Sequence, residues 1–139
     1  MSFEISTEIE ISASTAKVWG VLMNFEEYPK WNPFIKSIEG NPQVGKQIKA
    51  NIDGMKFKPI VLTNEKNKEF KWIGKLLLKG LFDGEHRFQI EETEDGKVRF
   101  VQSEKFSGIL VPFFKKKLST DTKSGFEEMN RKLKEQAET

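Results

Sequence analysis

The sequence predicts an α+β fold: an antiparallel sheet whose apolar face is covered by one long C-terminal helix. Three observations predict it. At the N-terminus Phe3, Ile5, Thr7, Ile9 and Ile11 alternate with polar residues, the period of a strand with one wet face. From about Pro112 the period changes, and Leu118, Thr122, Phe126, Met129, Leu133 and Ala137 fall on one helical stripe with charges elsewhere. Between these ends lie several further alternating runs separated by turn residues. A sheet with one polar face must cover its other face, and the terminal helix is the only element long enough to do so.

Each element follows from local chemistry. Ser12 or Ser14 is placed to cap a first helix, Ala16 to Asn24, with Val18, Trp19, Leu22 and Phe25 at helical spacing. Next comes a segment in which Phe25, Tyr28, Trp31 and Phe34 sit among Pro29 and Pro33. Each proline removes a backbone donor and pushes its predecessor toward extended geometry, so a packed corner is expected rather than a regular helix or long strand. Phe34 to Glu39 reads as a strand closed by Gly40-Asn41-Pro42, and Lys46 to Ile52 as the next. Asp53-Gly54 signals a tight hairpin turn into a strand over Met55 to Thr63. Asn64 to Lys68 is a polar turn, and Glu69 to Leu76 a strand with Phe70, Trp72 and Leu76 on one face. Phe82 to Glu92 and Lys97 to Phe106 form a hairpin about Glu94-Asp95-Gly96. The terminal helix spans about 25 residues, on the order of 40 Å.

The chain of 139 residues reads as a single domain, 1–139, with no repeat or internal linker. A formal charge of +2 is too balanced for nucleic-acid binding as a main task. The absence of cysteine excludes disulfides, thiolate catalysis and cysteine metal sites. With one histidine, a zinc site is not expected, and no glycine-rich phosphate loop or nucleophile elbow occurs, so no cofactor is expected. No apolar run approaches the roughly 20 residues that span a bilayer, and the N-terminus opens directly on a strand pattern. A cytoplasmic location and no stable membrane insertion are therefore expected.

The order of elements, together with Val18-Trp19-Gly20-Val21-Leu22, Tyr28-Pro29-Lys30-Trp31-Asn32-Pro33-Phe34, Gly74 with Phe82 and His86, and Glu104-Lys105-Phe106-Ser107-Gly108, resembles the START-like (SRPBCC) helix-grip superfamily. Within it the chain looks most like the polyketide cyclase/dehydrase-like branch, over essentially its whole length. The resemblance implies a curved seven-stranded antiparallel sheet wrapped around the C-terminal helix, two short helices between the first two strands, and an apolar cavity. Members bind lipids, sterols, plant hormones, polyketides or quinones, and some are cyclases, so the fold does not decide the function.

The hairpin can be placed in register. A three-residue loop with Gly96 left-handed pairs Thr93 with Lys97, which sets Ile90 against Phe100, Phe88 against Gln102 and His86 against Glu104. All six share the apolar face with Val98 and Phe106. His86, Gln102 and Glu104 thus point inward, either as a ligand-orienting cluster or as a satisfied cross-strand pair near the cavity rim. If the protein is an enzyme, His86 and Glu104 are its candidate acid and base. The apolar walls expected around a ligand are Trp31, Trp72, Phe88, Phe100, Phe106, Phe126 and Met129, residues whose spacing equally suits plain core. Asn32 is expected to bond local backbone.

Two further segments, Leu76 to Phe82 and Gly108 to Phe114, are too apolar for ordinary loops and should be neighbours. They form a greasy lip over a cavity or a patch for a partner or membrane, or they pack on each other and close the end of the core; a homodimer is one arrangement such a patch supports. Lys115-Lys116-Lys117, read as the first turn of the last helix, opposes the helix dipole there and forms either a solvated cap or an attractor for acidic groups. The function expected is binding of a small hydrophobic or amphipathic molecule, lipid-, polyketide- or quinone-like. The alternatives are an aromatase/cyclase- or dehydrase-like enzyme and an interaction module.

Overall fold

The structure, a computed structural model, describes residues 2–75 and 80–139. Strand β1 (Ser2–Ile11) buries Ile5, Thr7 and Ile11. Of the two candidate caps it is Ser14 that acts: its Oγ accepts the Lys17 amide at 3.1 Å and starts α1 (Thr15–Met23), a contact of about 1 kcal/mol. The aromatic corner is more regular than the prolines implied. It forms a 3₁₀ turn over Phe25–Glu27 and a single turn of α-helix, α2 (Tyr28–Trp31). Pro29 is tolerated because it sits in the first turn of α2, where an amide has no intrahelical partner. The Asn32 Oδ1 then accepts the amides of Phe34 and Ile35, the local role expected of it, and turns the chain into β2 (Ile35–Glu39).

Strands β3 (Lys49–Ile52) and β4 (Met55–Phe57) join β2 in a three-stranded sheet. Their turn has Asp53 and Gly54 both at positive φ, 51° and 86°, as the Asp-Gly signal predicts. The strand expected over Met55 to Thr63 is broken at Pro59, so β5 (Ile60–Glu65) leaves β4 and enters a second sheet. That sheet continues through β6 (Glu69–Lys75), β7 (Asp83–Glu92) and β8 (Val98–Ser107), in the order β1-β8-β7-β6-β5. A bridge between Gln47 and Ile60 ties the sheets together. The antiparallel helix-grip architecture is therefore present, with eight strands in two sheets among the described residues in place of seven in one.

The register of β7 on β8 is the one derived from the Gly96 loop: Ile90 faces Phe100, Phe88 faces Gln102 and His86 faces Glu104. Gly96 is left-handed, φ 79°. The neighbouring pair adds Trp72 opposite His86 and Gly74 opposite Gly84. Leu76, expected beside Phe70 and Trp72, lies outside the described residues, as do Leu77, Leu78 and Lys79.

The terminal helix begins at Val111 as α3 (Val111–Lys117), widens into a π turn over Leu118–Thr122, and continues as α4 (Lys123–Ala137). Its stripe is buried as expected, Thr122 only partly. Because the helix starts four residues earlier than Lys115, the three lysines do not occupy its first turn, and the dipole penalty expected there does not apply. In the π turn the hydroxyls of Ser119 and Thr120 bond back to the carbonyls of Lys115 and Lys116, a competition that disturbs regular α-helix. Helix α4 lies on β1, β8, α1 and α2. Gly125 permits the closest approach, since a Cβ there would sit 2.4 Å from the Phe34 ring.

Candidate functional site

The inner faces of β6, β7 and β8 form rows of three. Phe70, Phe88 and Gln102 make one row; Trp72, His86 and Glu104 the next; Gly74, Gly84 and Phe106 the third. The first two rows are filled by large side chains under α4. The third has two glycines side by side, and there the sheet and helix do not meet. The result is a cavity of about 190 Å³ at one end of the molecule. Its floor is Trp72, Gly74, Gly84, Glu104 and Phe106. Ile52, Asp53, Met55 and Phe57 of the β3–β4 hairpin, with Pro59, form one wall; Phe114, Lys117, Leu118 and Thr122 of α3 and the π turn form the other. Phe34, Phe82 and Lys75 complete the lining. A dry cavity of 150 Å³ accepts benzene, so a single-ring molecule fits here without rearrangement.

Of the sequence-predicted site residues, Trp72, Glu104 and Phe106 line this cavity. The others do not. His86, Phe88, Phe100, Gln102, Phe126 and Met129 are buried in the packed interior beside it. The His86 ring stacks on Phe88 with centroids 4.6 Å apart and leans on Phe126 at 4.9 Å. Trp31 is held in the aromatic corner against Tyr28, centroids 5.2 Å apart. Tyr28 is also buried; its hydroxyl donates to the Leu22 carbonyl at 2.6 Å, and burial pushes its pKa up. The sequence reading missed the β3–β4 hairpin wall and the glycine pair. A glycine inside a strand often marks a close approach or a gap, and that signal was available at Gly74 and Gly84.

The two apolar segments do meet. The Ile109 and Leu110 amides donate to the Gly80 and Leu81 carbonyls at 3.2 and 2.9 Å. Phe82 packs between Phe106 and Phe114, with centroids 5.7 and 5.3 Å away. Packed on each other, the two segments place Phe82 and Phe114 in the cavity lining. Ile109 and Phe113 nevertheless point to solvent, 69% and 80% exposed.

A buried polar chain runs from the cavity wall into the interior. His86 Nε2 and Gln102 Oε1 are 2.9 Å apart. Gln102 Nε2 donates to Asn130 Oδ1 at 2.7 Å, Asn130 Nδ2 to Thr7 Oγ1 at 2.9 Å, and Thr7 Oγ1 to the Gln102 carbonyl at 2.9 Å. At the cavity end His86 Nδ1 lies 3.2 Å from Glu104 Oε1. That is ion-pair distance, but the alignment is not that of a hydrogen bond, so the buried Nδ1 has none among the described residues. The His86 side chain is 1% exposed and that of Glu104 15%. Chemically the arrangement can orient a polar group of a guest or hold a proton at the wall.

A second hollow, about 480 Å³, lies on the β2–β3–β4 sheet between Ser37, Glu39, Lys49, Lys56 and Lys58. Those exposed charges enter no ion pair among the described residues, so no group there is fixed for recognition. Among the described residues no three metal-ligating side chains cluster, and no helix is long and apolar enough to cross a membrane.

Residues 2–138 match the family described as polyketide cyclase/dehydrase and lipid transport. The chain belongs to that family. Solved structures of the same shape include a hypothetical protein from Helicobacter pylori, 17% identical, covering 97% of this chain and 88% of its own, TM-score 0.83. A START superfamily protein from Mycobacterium smegmatis is 20% identical over 95% of this chain and 97% of its own, TM-score 0.71. The ZhuI aromatase/cyclase from Streptomyces sp. R1128 is 10% identical over 99% and 94%, TM-score 0.79. These likenesses show the START-like fold. No curated protein matches the sequence.

Proposed function

We propose that the protein binds a small hydrophobic or amphipathic molecule in the cavity between the sheet and the first turns of the C-terminal helix. The observation that carries this is the paired absence of side chains at Gly74 and Gly84 in an otherwise filled apolar interior. Native cores leave few voids larger than water. A hollow with Trp72, Phe106, Phe114 and Leu118 on its walls and one carboxylate on its floor has the make-up of a ligand site. Polyketide- and quinone-like rings suit the aromatic lining, and a longer lipid would leave past Met55 and Phe114, both exposed. Native mass spectrometry of the purified protein should show bound lipid-like mass, and a panel of aromatic and acyl compounds should raise the melting temperature. A panel without effect would end the proposal.

A second reading rests on the exposed Ile109 and Phe113, which precede Lys115, Lys116 and Lys117 in the chain, the last of these lining the cavity. Apolar side chains flanked by lysines complement an anionic lipid surface, each lysine contributing about 1 kcal/mol. Flotation with phosphatidylglycerol vesicles, absent with phosphatidylcholine and lost in Phe113→Ser, is the expected result. Binding to neither vesicle would remove this reading and leave the cavity one intact.

A further inference from the structure

We infer that the cavity is built to receive a hydrogen-bond donor, so that the ligand carries a phenol, hydroxyl or amine at its buried end rather than a carboxylate or phosphate. The inference rests on the binding proposal above and deepens it.

The direction of every bond in the buried polar chain follows from one backbone atom. The Gln102 carbonyl can only accept, so the Thr7 hydroxyl must donate to it. With its proton committed, Thr7 Oγ1 accepts from Asn130, which therefore presents Nδ2 to it and Oδ1 to Gln102. Gln102 must answer Oδ1 with Nε2, which leaves its Oε1 facing His86. Oε1 accepts, so His86 Nε2 carries a proton and donates. No amide can be turned over without setting donor against donor or acceptor against acceptor somewhere in the chain.

Only Nδ1 of His86 remains, and it faces Glu104 Oε1 across 3.2 Å. The two groups are not aligned as a hydrogen bond, so His86 leaves the Glu104 carboxyl without a fixed donor. As a carboxylate, Glu104 offers Oε2 as an acceptor only.

Oε2 also occupies the open side of the site. It lies over Gly84, where a Cβ would come within 2.2 Å of it, and both Gly84 and Glu104 line the cavity. No donor reaches Oε2 among the described residues. A guest in the cavity thus meets the Glu104 carboxyl on the floor, with Oε2 turned to it as an acceptor. A donor satisfies it. An anion placed against Oε2 meets a second acceptor and would have to turn to Lys75 or Lys117 elsewhere in the lining.

Three single-ring probes of matched shape test this by calorimetry and by Trp72 fluorescence: toluene, phenol and benzoate. A hydrogen bond to such a carboxyl group corresponds to roughly tenfold or more in affinity. Phenol should bind at least about tenfold tighter than toluene, and benzoate weaker than toluene. In Glu104→Met the phenol preference should vanish while toluene still binds. If that variant does not fold, the wild-type series alone decides. Equal affinity for toluene and phenol, or benzoate as the tightest of the three, overturns the inference and leaves the cavity proposal standing. No binding of any probe, toluene included, removes the cavity proposal and the inference with it.

Discussion

The two ends of the interior are built on the same three strands and differ in what those strands carry. At the α4 end, Phe70, Phe88, Phe100, Phe126, Met129 and Leu133 are fully buried and interlock, with Phe70 and Phe88 stacked at 6.3 Å. Four residues further along, past Trp72 and His86, the same inner face carries Gly74 and Gly84, and the volume stays open beneath Phe114 and Leu118. The helix above changes in step: regular α-helix covers the packed end, and the π turn covers the hollow one. The contrast teaches that the receptor part of this fold need not be the helix midpoint. One half holds the structure together, and the other half is left free to hold a guest.

The largest effect that tests this division is a pair of truncations measured by denaturant unfolding. Phe88→Ala removes a ring packed against Trp72, His86, Phe70 and Phe100 and should cost about 3–5 kcal/mol. Leu118→Ala enlarges a space that already exists and should cost about 2 kcal/mol, the low end for such a change. Equal losses would mean that the two ends are packed alike.

Next in size is the polar chain. Asn130→Leu keeps the apolar volume but removes the hydrogen bonds Asn130 makes with Gln102 Nε2 and Thr7 Oγ1, leaving them the Phe126 and Gln102 carbonyls, a loss of about 1–3 kcal/mol. The phenol preference of the cavity should persist in this variant, because Glu104 Oε2 stands over Gly84 and Asn130 does not line the cavity. Loss of that preference would show that the chain positions Glu104.

Filling the hollow should affect binding more than stability. The nearest atom to a Cβ on Gly74 is Pro59 Cβ at 3.9 Å, an ordinary contact, so Gly74→Ala should change stability by less than about 1 kcal/mol. It should nonetheless reduce probe affinity, and Gly74→Leu should abolish it. Gly84→Ala is different in kind, because its methyl would displace the Glu104 carboxylate.

How much of this was legible in the sequence depends on the length of the connections. The β7–β8 register could be derived because a three-residue loop with Gly96 leaves one pairing, and His86, Gln102 and Glu104 were placed on the inner face from that alone. The β6–β7 connection is longer and sets no register by its turn, so nothing in the sequence showed that Gly74 faces Gly84. The hollow was therefore placed under Phe126 and Met129 instead of beside them. The helix stripe told which side of α4 is apolar, but not whether Phe126 fills the gap beneath it. That depends on the combined volume of side chains from four elements. Pro59 was visible, yet its consequence, the passage of the chain from one sheet to the other, required knowing what Gln47 pairs with.

The smallest effect concerns the far corner of the packed end. Glu138 Oε2 accepts the Ser12 amide at 2.7 Å and the Lys134 ammonium at 2.6 Å, while Lys134 also donates to the Glu10 carbonyl. The Lys134 side chain and the Ser12 amide hold the Glu138 carboxyl below its ordinary value. A carboxyl whose pKa is depressed by folding stabilises the folded state above its unfolded pKa, and that contribution fades as the pH falls through the folded value. The tie between the end of α4 and the β1–α1 junction should therefore loosen in mild acid. Because Glu138 is exposed, the change is a small shift of the melting temperature. In Glu138→Gln the melting temperature should be slightly lower at neutral pH and should fall less steeply on acidification, with probe binding at the hollow end unchanged. A Glu138→Gln protein with a wild-type acid profile would mean that this corner contributes nothing to the grip on the helix.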